Sequence, residues 1–197
     1  YCMAVRVDSQ GRASWSWSDV ASVSVGMDDF TGAGTADNPY QLSTADDLEK
    51  LRNLVASGMS MENTYLQMTA DITLPKSWKP IGVKKNAALD TIDKGNNLCA
   101  FSGIFDGAGH KITVAEGGLP LFGYVRGAEI RNLNIYGSRI AGYGLINNME
   151  GVGLSGRAVL IENVTLLSGS QTKKSGLLGS QITENGFAGC SVAYCST

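Results

Sequence analysis

The stretch IRNLNI at residues 130–135 has a close echo in IENVTL at residues 161–166 and a weaker one in FAGCSV at residues 187–192. In each run the apolar residues fall at offsets 0, 3 and 5. The last two positions show the inward alternation of a β-strand, and the first lies just before them, across a bend. The runs begin 31 and then 26 residues apart. A repeat of this length predicts short strands that stack, because one unit cannot bury its own apolar face.

Each run also follows an apolar pair flanked by glycine. These pairs are LFG at 121–123, GLI at 144–146 and GLLG at 176–179. One repeat is therefore a coil of two or three short strands with bends between them. The predicted fold class is all-β, a right-handed parallel β-helix. Asn132 and Asn163 fall at the same bend, where asparagine tolerates left-handed backbone and its amide can bond to the next coil.

The first 26 residues suggest a β-hairpin, with a strand at 2–7, a turn at 8–12 and an alternating strand at 13–25. Trp15 and Trp17 share one face of the second strand. They either cover an open core or form a stacking platform for a sugar. The hairpin and a glycine- and aspartate-rich linker make up a first unit at 1–32. The β-helix is expected over 33–197, with its repeats over about 118–197.

One segment, residues 43–58, has the pattern of an amphipathic α-helix that caps the β-helix. Ser43 or Thr44 is the expected N-cap, with an aspartate at the capping-box position, and Gly58 is the expected C-cap. Residues predicted to share the buried stripe are Leu48, Leu51, Leu54 and Val55.

Composition excludes several classes of partner and cofactor. The net charge of −2 is too small to attract nucleic acid or an anionic membrane through its field alone. No apolar run approaches the ~18 residues of a membrane span. No metal or other cofactor is predicted, because the spacing of Asp28, Asp29 and Asp37 matches no standard calcium loop. The four cysteines are read as buried free thiols, with a long-range disulfide as the alternative: Cys2, Cys99, Cys190 and Cys195.

The stretch FSGIFDGAGHKIT at residues 101–113 holds the chain's only histidine, His110, four residues after Asp106. An acid–base pair is one interpretation. Turn chemistry is the other, because aspartate can bond to its own backbone two residues on and the glycines supply positive φ. Catalysis would need a nucleophile or second acid converging on the pair, and the sequence places none. We therefore predict a structural turn and no catalytic residues.

Several motifs, in this order, resemble one kind of protein: GTADNPYQLSTADDLEKL at 34–51, YLQMTADITL at 65–74, FSGIFDGAGHKI at 101–112, and LFGYVRGAEIRNLNIYG at 121–137. They are similar to the start of the β-helix regions of many large bacterial surface proteins. SGLLGSQITENGFAGCSVAYCST at 175–197 resembles the GLUG repeat that follows in those proteins. Such regions occur in adhesin-like proteins of gut bacteria and beside the protease part of immunoglobulin A proteases.

The resemblance implies an extracellular location, secreted or anchored to the cell wall, and a parallel β-helix without a defined activity. Two segments depart from the pattern, residues 84–100 and 147–157, and both are expected to be insertions. Insertions of this kind often carry binding surfaces. The ends of the chain suggest a piece of a longer protein, and a β-helix cut between coils is expected to associate end to end through unpaired strand edges.

Three functions follow from these observations. The first is a non-catalytic surface module, acting as adhesin, stalk or scaffold, whose partner is a host glycoprotein or immunoglobulin. The second is a carbohydrate-binding module for host or bacterial glycans. The third is a polysaccharide lyase or hydrolase, which needs acidic groups roughly 5–10 Å apart. Aromatic residues that would serve the second function are Trp15, Trp17, Tyr136, Tyr143 and Tyr194.

Overall fold

The computed structural model describes residues 3–7, 13–17, 27–82, 99–150, 157–174, 176–182 and 190–193. Within these ranges the chain is mostly β-strand with one α-helix, so the all-β prediction is confirmed. The strands are β1 (Met3–Val7), β2 (Ala13–Trp17), β3 (Tyr40–Leu42), β4 (Tyr65–Met68), β5 (Ile72–Leu74), β6 (Ile104–Asp106), β7 (Lys111–Val114), β8 (Phe122–Arg126), β9 (Glu129–Tyr136), β10 (Ile146–Glu150), β11 (Val159–Leu166), β12 (Leu178–Ile182) and β13 (Cys190–Ala193).

The strands after the hairpin pair in parallel and form two ladders. The long ladder runs β3, β4, β6, β9, β11 and β13, and β7 joins β9 to β5 beside it. The short ladder runs β8, β10 and β12, and it aligns Phe122 with Ile146 and Ile146 with Leu178. The three glycine-flanked apolar pairs therefore lie at matching positions of successive strands. Each strand of a ladder is called a rung below.

The long ladder confirms two of the three repeated runs and corrects the third. Ile161 pairs with Ile130, as predicted, but on the other side Ile161 pairs with Val192 and Val159 pairs with Cys190. The repeat is therefore 31 residues both times, and the alignment of FAGCSV was wrong. A strand alternates with period two, so the apolar pair Cys190 and Val192 fits the earlier apolar pair of the repeat as well as the later one.

The predicted bend is confirmed at both asparagines. Asn132 and Asn163 have φ of 52° and 51°. The Asn163 Nδ2 donates to Asn132 Oδ1 at 2.9 Å, and the Asn132 Nδ2 donates to Asp106 Oδ1 at 3.1 Å. These three side chains, called the amide ladder below, connect β6, β9 and β11 at one position. The bend turns the apolar side chains on both sides of it inward, so Ile130 and Leu133 are both buried.

The core lies between the ladders and is continuous from the helix to β11. Phe105 and Phe122 are fully buried and meet edge to face, with ring centroids 5.5 Å apart. Burying a large apolar side chain stabilises the folded state by about 1.5–3 kcal/mol. Buried apolar side chains such as these two rings therefore dominate the stability of the stack.

The helix α1 (Ala45–Ala56) confirms the predicted segment. Thr44 is the N-cap, and it exchanges hydrogen bonds with Asp47 in a capping box. The C-cap is Ser57, one residue before the predicted Gly58, and Gly58 follows it with φ of 104°. All four residues of the predicted stripe are buried: Leu48, Leu51, Leu54 and Val55. Among the described residues, no helix is long and apolar enough to cross a membrane.

The hairpin strands β1 and β2 pair antiparallel, with Met3 opposite Trp17 and Val7 opposite Ala13. The remainder of the predicted second strand, 18–25, lies outside the described residues, as do Cys2 and Cys195. Cys99 is a buried free thiol, as predicted. Its Sγ lies 3.8 Å from the Ala56 carbonyl oxygen.

The predicted insertion at 147–157 is wrong in its first four residues, whereas most of the insertion predicted at 84–100 lies outside the described residues. In the segment 147–157, Asn147 to Glu150 belong to β10, and the buried Met149 pairs with Val125. The polar pair Asn147–Asn148 hid this strand, because asparagine is uncommon in strands. In the segment 84–100, Cys99 and Ala100 are buried, and residues 84–98 lie outside the described ranges.

Candidate functional site

The region around Asp106 is a tight turn between β6 and β7, as predicted. Asp106 Oδ1 accepts a hydrogen bond of 2.8 Å from the Ala108 backbone N–H, and Ala108 and Gly109 have φ of 51° and 81°. A Cβ at Gly107 would lie 2.5 Å from the Asn132 carbonyl oxygen, so this position requires glycine. The turn is thus shaped by its fit against the next rung.

The Asp106 carboxylate pairs with β9 rather than with His110. Arg131 Nε lies 2.8 Å from Asp106 Oδ2, and Arg131 Nη1 lies 2.6 Å from Glu129 Oε1. Burial raises the pKa of Asp106, but the Ala108 N–H, the Asn132 amide and the Arg131 guanidinium outweigh it, so the net pKa lies below its usual value. An ionised carboxylate with these partners suits a structural anchor better than a general acid.

His110 faces a different carboxylate, that of Asp71. Its Nδ1 lies 3.4 Å from Asp71 Oδ1, and the Lys111 backbone N–H donates to the same oxygen at 2.9 Å. The Lys111 N–H, which contributes most, lowers the pKa of the Asp71 carboxyl. The sequence separation of Asp106 and His110 suggested a pair, and the structure places them on opposite sides of the turn, each with its own partner.

Sequence reasoning missed a polar group between two rungs of the short ladder. The buried Tyr124 donates a hydrogen bond from its hydroxyl to Glu150 Oε2, and Arg126 Nε lies 3.6 Å from the same oxygen. The signal was present as a Tyr-x-Arg pattern in β8, which puts both side chains on one face of the strand. The sequence gives no connection to Glu150, because its segment, 147–157, is predicted to be an insertion.

The predicted aromatic site is described only in part. Tyr136 and Tyr143 are half-buried, and Lys174 Nζ lies 5.2 Å from the centroid of the Tyr143 ring, within cation–π distance. Trp15 and Trp17 lie in β2, where they pair with Val5 and Met3 in the hairpin register. Tyr194 lies outside the described residues. The predicted aromatic site therefore stays a prediction.

No metal ligand set occurs in the part of the chain that the structure describes, where no three His, Cys, Asp or Glu side chains cluster suitably. The strongest features of the described surface are the turn, the amide ladder and the ion pairs between rungs. Each of these features connects one rung to the next and so stabilises the stack.

Comparison with known proteins finds a similarity to part of a much longer protein. The chain is 30% identical over 143 residues to halomucin from Haloquadratum walsbyi (strain DSM 16790 / HBSQ001). The match covers 69% of this chain and 2% of halomucin, so the chain spans a very small part of that protein. No protein-family model matches the chain, and no solved structure matches it.

Proposed function

We propose that this chain is a non-catalytic module of a cell-surface or secreted protein, built as a right-handed parallel β-helix and acting as adhesin, stalk or scaffold. The observation that carries the proposal is the register of the long ladder, in which six parallel strands stack rung on rung. Parallel strands joined by crossovers in one sheet are right-handed in about 98% of cases. Repeats that contact only their neighbours suit a protein that must extend.

The surface location is supported by the relative. This chain is similar to part of halomucin, whose name describes it as a mucin. The high share of glycine, with 25 residues, and the low share of charged residues, at 17%, agree with a stack of short strands and tight bends. Antibody labelling of intact source cells tests the location, and labelling that appears only after lysis would contradict it.

The non-catalytic part of the proposal is supported by where the ionisable side chains are used. Asp106 is engaged by Arg131 and Asn132, and Glu150 by Tyr124 and Arg126, in each case between neighbouring rungs. Such charges hold strands in register. Proposed partners for the adhesin role are a host glycoprotein or an immunoglobulin.

The test is a turnover assay on purified chain with a panel of neutral, acidic and sulfated polysaccharides. Release of reducing ends reports hydrolysis, and absorbance of an unsaturated product reports elimination. We expect neither. Turnover abolished by replacing a carboxylate, for example by Glu150→Gln, would contradict the proposal and favour a polysaccharide lyase or hydrolase.

A second candidate is carbohydrate binding, which the cation beside the half-buried Tyr143 ring favours, because such a pair offers both a stacking face and a charge. A glycan array probed with the wild type, with Trp15→Ala/Trp17→Ala and with Tyr143→Ala tests it. Binding lost in one variant identifies the aromatic face. Retained binding in all three would count against the predicted aromatic site.

The scaffold role also includes end-to-end self-association, which sedimentation velocity measures as a mass that rises with protein concentration. A single species with the mass of one chain at every concentration would refute this part of the proposal.

A further inference from the structure

The turns that follow β7, β9 and β11 lie on one another at one corner of the stack and line an open groove of about 820 Å³. Backbone hydrogen bonds hold them together, from the Gly117 N–H to the Arg139 carbonyl at 2.7 Å and from the Ile140 N–H to the Gln171 carbonyl at 2.7 Å. Ile140 and Thr172 form a parallel bridge. The groove is therefore built by the same cross-rung bonding as the ladders and is formed before any ligand arrives.

Every neighbouring rung contributes a charged side chain to this groove. Lys76 follows β5, Glu116 follows β7, Arg139 follows β9 and Lys173 follows β11. All four side chains are exposed. The charge of the lining is thus three cations against one anion, although the whole chain carries −2.

Among the described residues, no ion pair uses Lys76, Arg139 or Lys173. Within the described ranges, the ion pairs use other basic groups, namely Lys50, Arg52, His110, Lys111, Arg126 and Arg131. A cleft lined by charges of one sign concentrates the field and raises the local concentration of oppositely charged ligands. The groove is therefore suited to an anion.

The arrangement along the stack favours a chain with several anionic groups over a single ion. Neighbouring rungs lie about 4.8 Å apart, so the cations from β5 to β11 extend over roughly 14 Å. The Ile140–Thr172 bridge places Lys173 two positions beyond the residue opposite Arg139. Arg139 and Lys173 are thus near neighbours at different heights, where they would meet successive charges of one polymer.

The rest of the lining favours a saccharide as the polymer. Gln171 and Thr172 offer an amide and a hydroxyl, and the lining also includes small residues such as Ala115 and Ala141. Amide and hydroxyl groups suit the hydroxyls of a sugar. The lining offers neither the aromatic rings on which nucleic-acid bases stack nor an apolar pocket for a peptide side chain.

We propose that this corner groove binds an acidic oligosaccharide whose carboxylates are held by Arg139, Lys173 and Lys76. The planar guanidinium of Arg139 binds one carboxylate through two parallel hydrogen bonds, and the two lysines act as point charges. Gln171 and Thr172 bond to ring hydroxyls. The ligand class extends the carbohydrate-binding candidate and rests on it, but the residues differ from the aromatic set, so the groove and the aromatic face can fail independently.

Isothermal titration of the chain with a short oligogalacturonate at low salt is the test. The variant Arg139→Gln/Lys173→Gln should weaken binding about tenfold or more, because it removes two charge-assisted contacts. The matched control is Lys50→Gln/Arg52→Gln on α1, outside the groove lining, which changes the net charge equally and should stay within about twofold of the wild type. Methyl-esterified ligand, which lacks the charge, should not bind measurably.

A third variant keeps the test valid if the double variant misfolds. Glu116→Gln removes the one anion of the lining, and it should tighten binding about two- to threefold. The proposal is overturned if oligogalacturonate does not bind, or if both double variants weaken it equally. It is also overturned if polyglutamate of equal charge binds as tightly as the oligogalacturonate. The same holds if inorganic phosphate at equal charge displaces the sugar, because the groove would then recognise negative charge and not a saccharide. If Trp15→Ala/Trp17→Ala does not change binding on the glycan array, the aromatic site is contradicted, but these outcomes for the groove are unaffected.

Discussion

Replacing Asn132 separates the two things that this residue does in the stack, its backbone conformation and its side-chain bonds. It has φ of 52° and connects Asp106 to Asn163 through the amide ladder. Both Asn132→Ala and Asn132→Gly remove the side-chain bonds. Only the alanine variant has to place a Cβ in the left-handed region. The two variants therefore differ in the backbone term alone.

The magnitudes follow from these contacts. A neutral hydrogen bond contributes about 0.5–1.5 kcal/mol and one to a charged group about 1.5–3 kcal/mol, so either variant should lower the free energy of unfolding by about 2–4 kcal/mol. The left-handed backbone lowers the free energy of unfolding of the alanine variant by about 1–2 kcal/mol. In the glycine variant, the greater conformational entropy of the unfolded chain lowers it by about 0.5–1 kcal/mol. The glycine variant should therefore be the more stable of the two by about 0.5–1 kcal/mol.

Asn134 gives the matched control in the same strand. Its side chain also bonds to a neighbouring rung, from Nδ2 to the Gly109 carbonyl at 2.8 Å, but its φ is not positive. There the usual order should hold, with Asn134→Ala more stable than Asn134→Gly. Urea unfolding followed by circular dichroism measures all four variants. The same order at both positions, with alanine the more stable, would refute the assigned role of the bend.

Three further predictions concern the core, the helix cap and acid. Phe105→Ala should lower the free energy of unfolding by about 3–5 kcal/mol, because the ring is fully buried; a loss under 1 kcal/mol in urea would contradict that. Thr44→Ala should cost about 1 kcal/mol through loss of the N-cap, whereas Thr44→Ser should cost little in the same assay. The folded pKa of Asp106 lies below the unfolded value of about 3.9, so its stabilisation is present above pH 4 and is lost as pH falls through the folded value. Asp106→Asn should flatten this acid loss, and parallel stability profiles for variant and wild type would count against it.

The repeats could be predicted from sequence where one residue had to fit both the apolar pattern of the strand and a bend in the backbone. Asn132 and Asn163 each lie at a bend directly before an apolar residue, Leu133 and Val164, and that combination has few alternatives. The helix likewise combined an N-cap, a capping box and a buried stripe. The last repeat was misaligned because an alternating apolar pair such as Cys190 and Val192 satisfies two registers, and only the hydrogen bonds decide between them.

The polar surface was much less predictable, because its groups come together across rungs. Asp71 and His110 are close in space and far apart in sequence, as are Arg139 and Lys173. Short-range spacing instead suggested a pairing of Asp106 with His110, which the turn prevents. A period of 31 residues places distant side chains side by side only after the register of every rung is known.

The division between strands and corners then explains where binding can occur on such a stack. Along the strands, polar side chains bond to the next rung, as the amide ladder and the pair of Arg131 with Asp106 do, and these groups cannot leave their partners without loosening the register. At the corner after β7, β9 and β11, backbone bonds join the rungs, and no ion pair among the described residues uses Arg139 or Lys173. Arg139 and Lys173 can therefore be replaced at little cost in stability, whereas Asn132 cannot. A loss of ligand binding without a loss of stability at this corner, set against a loss of stability at the bend, would show that the fold keeps recognition and cohesion on separate residues.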